Sequence, residues 1–352
     1  MLTLFALVCA VVLAGCAAPQ AASPTAPAAP TAPAAPAASG QVVNVYSARH
    51  YGTMESVFQR FTADTGIEVR LSQGSVQSLL ERLKAEGSQT PADVFFSIDA
   101  GGLALAAEEG LLQPVESATL VESIPANLRD AQNRWFGLTQ RVRTIVYNPA
   151  KVQPSELSTY EALADPQWKD RLCMRPASHV YTQSLVASMI ANLGPEQAAT
   201  VVQGWAANNP QFIDSDTRIL ETIAAGGCDV GITNHYYLGR ELAKSADFPV
   251  KVFWANQNER GVHVNISGMG VTAAARNKDN AVKLIEWMAT EGQGGDAESL
   301  PGGNHEFPAN ASATPHEIIA GFGSYKPDPI AISEYGRLQA DAVKLMETAG
   351  YR

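Results

Sequence analysis

Val42-Val43-Asn44-Val45-Tyr46-Ser47 is a β-branched run, and from about 52 to 64 it is followed by a helical pattern with Met54, Val57, Phe58 and Phe61 on one face. Branched residues favour strands, and apolar residues three and four apart mark one buried face of a helix. Thr65-Gly66 stops the helix, and Ile67-Glu68-Val69-Arg70-Leu71 alternates as a strand. A second helix over about 75–86, a strand at 92–97 and a third helix over about 101–109 continue the series. Strand alternating with helix predicts an α/β fold with a parallel sheet covered on both faces.

The same style runs on. Val142-Arg143-Thr144-Ile145-Val146-Tyr147 reads as a strand closed by Asn148-Pro149, and helices are predicted near 159–164, 183–192, 195–207 and 216–225. A strand at 229–233, a long strand at 264–272 and an amphipathic helix at 278–290, with Ala281, Leu284, Ile285 and Met288 inward, precede a terminal helix at 333–349. Ligands of α/β sheets bind beyond the carboxyl ends of strands. That rule directs attention to 47–51, 97–101, 178–182 and 233–237.

All 60 Lys, Arg, Asp and Glu residues follow Gly40, so the remaining 312 of 352 residues carry the whole net charge of −10. An apolar content of 46% excludes disorder for the bulk of the chain, and about 312 residues suggest two domains. The acidic balance argues against a nucleic-acid partner, which needs a basic face. Residues 1–16 are an apolar run ending Leu13-Ala14-Gly15-Cys16, too short to span a bilayer and read as a signal peptide. The ending resembles the lipobox of bacterial lipoproteins, in which the Cys carries lipid, although no Lys or Arg precedes the run. A cleaved signal with an incidental Cys16 is the alternative. Residues 17–40, almost all Ala, Pro, Ser and Thr, read as an extended tether. Export implies an oxidising compartment, where the leftover Cys173 and Cys228 are expected to pair as a disulfide; two buried free thiols are the other reading.

Three of the predicted strand ends carry an unusual chemistry: Arg49-His50-Tyr51, Ser178-His179-Val180-Tyr181 and Asn234-His235-Tyr236-Tyr237. Only 10 of 352 residues are Tyr, yet four fall here beside His. A free phenol is protonated at neutral pH, but a strongly Lewis-acidic cation displaces the proton, and phenolate oxygen is a hard anionic ligand suited to ferric iron. Imidazole also suits iron. His50, Tyr51, Tyr181, Tyr236 and Tyr237 would supply one nitrogen and four oxygens. The plainer alternatives are Tyr236 or Tyr237 packed under a lobe, Tyr181 as a sugar-stacking platform and His50 as a helix cap. His179 and His235 read as loop or supporting groups.

With these residues in view, the body from about Val42 onward resembles the ferric-ion-binding proteins of iron(III) ABC importers. The matching stretches include Val45-Tyr46-Ser47-Ala48-Arg49-His50-Tyr51, Asn234-His235-Tyr236-Tyr237-Leu238 and Gly303-Asn304-His305-Glu306-Phe307-Pro308. The resemblance implies a two-lobed periplasmic-binding-protein-like α/β fold with a hinge of crossover strands, placed near 140–146 and 264–269. Lobe one would comprise 42–140 plus 266–322, and lobe two 141–265 plus 323–352. It implies that His50, Tyr51, Tyr181, Tyr236 and Tyr237 bind Fe(III), that an ABC permease is the partner and that the protein is no enzyme. It further implies a monomer, exported and lipid-anchored through Cys16 at the outer face of the cytoplasmic membrane. Fe(III) with four phenolates and neutral His leaves one net negative charge, which a nearby cation would offset. Arg49, Arg141 and Arg143 are the candidates, for charge balance or for holding a carbonate-like synergistic anion, a structural ion pair being the alternative for each.

Two other readings remain at this stage. The same fold binds polyamines, thiamine or inorganic anions, and Asp93, Asp99, Asp214 and Asp216 are the clustered carboxylates a polyamine would want. A secreted hydrolase is the other, but the chain has no G-x-S-x-G, S-x-x-K or H-E-x-x-H motif.

Overall fold

A computed structural model of the chain describes residues 41–49, 54–293 and 304–352. The expected leader with Cys16, the expected tether over 17–40, His50 and Tyr51 lie outside the described residues.

The strands among them are β1 (Val42–Ser47), β2 (Glu68–Gln73), β3 (Val94–Ser97), β4 (Phe136–Tyr147), β5 (Leu172–Met174), β6 (Gln211–Phe212), β7 (Val230–Asn234), β8 (Lys251–Phe253), β9 (Val264–Val271) and β10 (Phe307–Pro308). They hydrogen-bond in the order β2-β1-β3-β9-β4-β7-β5-β6, with β8 and β10 attached to β4. The expected all-parallel sheet is corrected to a mixed one. Pairs β1–β2, β1–β3, β5–β6 and β5–β7 are parallel, as βαβ units require. β9 runs antiparallel to β3, and β4 antiparallel to β9 and β7. The reason is that β4 and β9 are the two crossing strands and run against the strands they join.

β4 shows why two cores are needed. At about 3.4 Å per residue its 12 residues span roughly 40 Å, too long for one layer of helices to cover. Its first part, Phe136 to Val142, pairs with β9, and Arg143 to Tyr147 pair with β7. Phe136 and Leu138 pack with Val43, Phe95, Leu103, Ile266, Leu284 and Met288 in one apolar core. Val142 and Ile145 pack with Trp168, Val186, Met189, Trp205, Val230 and Val264 in another. β9 is shared in the same way, giving Val264 to the second core and Ile266 and Met269 to the first. The helix Glu334–Thr348 gives Tyr335 to the first core and Leu338, Ala342 and Met346 to the second, and Ile319 packs in the second.

Most helices fall where their apolar spacing puts them. Pro195–Ala207 begins on Pro at its first position, where no amide partner is lost, and Val76–Glu86 is capped by the Ser75 side chain on Ser78 N. In Lys278–Ala289 the four predicted inward residues are all buried. Near 159–164 only a single 3₁₀ turn forms, Glu161–Ala164. Among the described residues no helix is long and apolar enough to cross a membrane.

Cys173 in β5 is bonded to Cys228 in the turn before β7, with the Cα atoms 5.8 Å apart. The neighbouring Gly231 lets β5 and β7 pair this closely, since a Cβ there would lie 2.9 Å from the Cys173 carbonyl oxygen. The bond spans a sequence separation of 55 and so restricts the unfolded chain, an effect worth about 2–4 kcal/mol. A Cys173→Ala/Cys228→Ala variant should unfold in urea with stability lower by about that amount and with an unchanged far-UV spectrum. An unshifted midpoint would show that the bond contributes nothing.

Candidate metal centre

Two of the predicted loops are helix starts. The helix Val180–Leu193 begins before Tyr181, and His235–Lys244 begins before Tyr236 and Tyr237. All three phenols therefore sit in first turns, where aligned backbone dipoles favour negative charge. One of the two starts carries a side-chain cap. The His179 ring accepts the Tyr181 amide through Nδ1 at 3.2 Å and so caps its helix. Burial, with Arg175 and Arg143 nearby, pushes the His179 pKa down to about 3, which keeps the ring neutral and able to accept. At the other helix Asn234 ends β7, and its amide donates to Asp216 Oδ2 at 3.0 Å.

The two helices bring their phenols together from 55 residues apart. Tyr181 Oη lies 3.1 Å from Tyr236 Oη. Tyr181 and Tyr236 are buried, while Tyr237 is half-buried and stacks on Tyr236 with ring centres 4.3 Å apart. Guanidinium groups surround them. Arg141 and Arg143 stand 5.2 and 5.8 Å from the Tyr181 ring, and Arg240 stands 5.4 and 5.3 Å from the rings of Tyr236 and Tyr237. Arg240 was not among the candidates read from the sequence. Its spacing, four residues after Tyr236 and three after Tyr237, places it on the same helix face, a signal lost when 233–237 is read as loop.

The other candidate cations have structural partners. Arg49 is fully buried and meets Glu306 through Nη1 at 3.1 Å and Nη2 at 3.2 Å, with Ser267 Oγ 2.8 Å from Nη1. Burial raises the pKa of Glu306, but Arg49 and Arg141 outweigh it and hold the carboxyl below its ordinary range. Arg141 donates to the carbonyls of Ile98 and Ile266. Arg143 pairs with Asp216 at 3.1 Å, and Arg175 holds the other Asp216 oxygen at 3.2 Å. His235 is buried, accepts the Val142 amide at 3.1 Å and stacks on Phe307 with ring centres 4.6 Å apart. Burial pushes its pKa down to about 4.

The clustered carboxylates are engaged as well. Asp93 binds Asn44 and Asn277, Asp99 caps the helix Ala100–Glu108, and Asp214 and Asp216 pair with Arg175.

Two α/β bodies sharing crossover strands, with a cluster of polar side chains at helix starts beside the crossing, have the architecture of the hinged solute-binding proteins. The chain belongs to the bacterial extracellular solute-binding protein family, whose sequence model matches residues 45–295. It is 41% identical over 322 residues to iron uptake protein A1 of Synechocystis sp., covering 89% of this chain and 88% of the relative. It is 28% identical to the major ferric iron-binding protein of Neisseria meningitidis serogroup B, over 88% of this chain and 93% of the relative. Among solved structures it is similar to the Trichodesmium protein IdiA (FutA) in complex with iron and citrate ligands. The identity there is 42% and the TM-score 0.81, covering 88% of this chain and all of that one. It is also similar to the ferric binding protein from Campylobacter jejuni, with 34% identity and a TM-score of 0.81 over 88% of this chain and all of that one.

Asp216 is the buried counter-charge for two guanidiniums, and removing one partner of such a set costs about 3–5 kcal/mol. Asp216→Ala should therefore destabilise the protein by about 3 kcal/mol or more in chemical denaturation. A change under about 1 kcal/mol would mean that Arg143 and Arg175 find solvent or other partners.

Proposed function

We propose that the chain captures ferric iron outside the cytoplasm and delivers it to the permease of an ABC importer. The ligands in this reading are His50, Tyr51, Tyr181, Tyr236 and Tyr237. The observation that carries it is the 3.1 Å approach of the Tyr181 and Tyr236 hydroxyls. Around a small hard cation with oxygens about 2.0–2.1 Å away, adjacent octahedral ligands stand about 2.9 Å apart, close to this spacing. That spacing supports reading the two hydroxyls as neighbouring ligands of one ion, and Tyr237 stacks on Tyr236 beside them. The names of the relatives, iron uptake and ferric iron-binding proteins, support the same cargo.

Charge favours the reading too. Four phenolates and a neutral imidazole leave one negative charge on the ferric complex, and Arg141 and Arg240 stand close enough to the phenol rings to offset it. Arg49 is bound up with Glu306, so its contribution is structural. A small anion that completes the coordination, carbonate-like or a carboxylate, is part of the proposal; the citrate in the Trichodesmium complex supports it. The polyamine alternative loses its basis, because its four carboxylates are engaged in amide hydrogen bonds, a helix cap and ion pairs. A hydrolase would need a catalytic base beside an open ligand position, and the chain has no G-x-S-x-G, S-x-x-K or H-E-x-x-H motif to supply one.

In this reading the protein is a carrier with no catalytic step. Residues 1–16 are a signal peptide with lipid on Cys16, 17–40 tether the body to the outer face of the membrane, and the body acts as a monomer. Lobe one would be built on 42–140 and the part of the chain following 266, and lobe two on 141–265. The core around Ile319 supports assigning 317–322 to lobe two instead of lobe one, and the terminal helix serves both. Metal bridging the lobes would favour a closed state that docks on the permease.

Titration of the apo protein with ferric citrate should produce a visible phenolate–iron absorption band that saturates at one iron per chain. Absence of both band and tight binding would sink the proposal. Tyr237→Phe should weaken binding by more than the roughly 10–100-fold that loss of an outer-shell partner costs.

A further inference from the structure

The segment 304–308 matched a family motif in sequence, yet none of its residues belongs to the proposed ligand set. We infer that it is a positioning clip, in which Glu306 holds the chain entering His50-Tyr51 through Arg49, and Phe307 holds Tyr236-Tyr237 through His235. The inference rests on the ferric reading and adds to it the residues that would set affinity without touching the metal.

Glu306 and Phe307 are consecutive, and consecutive residues of an extended chain face opposite sides. His305, which precedes them, has a φ of 52°, a left-handed conformation uncommon for a residue with a side chain, and it turns the segment onto β4. There Phe307 is paired with Gln140 and Pro308 with Thr139. On one side the Glu306 carboxylate receives both Arg49 nitrogens, the Thr139 hydroxyl and Asn304 Nδ2, the last at 2.5 Å. Arg49 is also tied to Ser267 of β9 at 2.8 Å, and its amide donates to Ser47 Oγ at 3.1 Å. The side chain of the residue before His50 is thereby fixed to β9 directly and to β4 through Glu306, and its backbone to Ser47 of β1.

On the other side the Phe307 ring stacks on His235 at an interplanar angle of 23°, and His235 is the first residue of the helix whose next two residues are Tyr236 and Tyr237. One turn further on, His305 rests against the same helix. A Cβ at Gly239 would lie 2.9 Å from that of His305, so glycine permits this approach. One five-residue segment thus braces the chain beside two parts of the donor set that are 185 residues apart in sequence. A buried ion pair contributes little net stability compared with an apolar pair of the same size. Its bidentate geometry serves orientation, which is what a ligand site needs.

The test uses the full chain, ferric citrate and two variants whose phenols are all intact. Arg49→Met/Glu306→Gln removes both charges together and leaves neither ion buried alone. Phe307→Leu keeps an apolar side chain and removes the stack, and it carries the test if the double variant does not fold. The readouts are the apo melting temperature, the absorption band at saturating iron and half-saturation under citrate competition well below the melting range. The clip predicts a retained band, apo melting close to wild type and affinity lower by about 10–100-fold in each variant. Wild-type affinity in the folded variants overturns the clip alone. A wild-type chain that forms no band overturns the ferric reading and the clip with it.

Discussion

Strand β4 has to serve apolar cores on both sides of the crossing at once, and the rest of the molecule follows from that constraint. Its residues before Val142 are covered from one side of the crossing and those after Arg143 from the other. A strand shared in this way cannot return within its own lobe, so β9 crosses beside it in the opposite direction. The crossing also gathers polar groups. Thr139, Arg141 and Arg143 of β4 and Asn265 and Ser267 of β9 are all buried there, each with a partner from another element. Buried polar groups are costly unless partnered, and these are partnered by Glu306, Ile266, Asp216, Asp99 and Arg49.

Electrostatics gives the site its chemical character. A neutral phenol is a poor metal ligand, and a cluster of phenolates without counter-charge would be costly to bury. Guanidiniums beside Tyr181, Tyr236 and Tyr237, together with two helix starts, supply that counter-charge before any ion arrives. The arginines nearest the crossing divide the work: Arg49 and Arg143 hold carboxylates, while Arg240 lies over the tyrosine pair. Supporting groups are thus as specific in their placement as the donors.

Local pattern made much of the fold legible. The branched run at Val42, the apolar stripe through Ala281, Leu284, Ile285 and Met288, and Pro195 at a helix start are each decided by neighbours in sequence. The mixed direction of the sheet was not legible, because βαβ spacing predicts parallel strands and says nothing about a strand that crosses between lobes. β6, β8 and β10 have two or three residues each, too few for a period, and exist through their pairing with longer strands. The clustering of Tyr181 with Tyr236 could be suspected from residue type and strand-end position, but Arg240 was missed because no helix was read after 233–237, where His235–Lys244 forms. The role of Glu306 and Phe307 depends on partners at Arg49 and His235, which no local pattern connects.

The central claim is that phenols from separate helices close on one ferric ion. A crystal structure of the iron-loaded full chain, with the ion located by its anomalous scattering, tests it most directly. The account predicts a single iron within about 2.0–2.2 Å of the Tyr181, Tyr236 and Tyr237 oxygens, with Tyr51 and His50 completing the protein ligands. An iron bound elsewhere on the chain, away from the Tyr181 and Tyr236 hydroxyls, would contradict it.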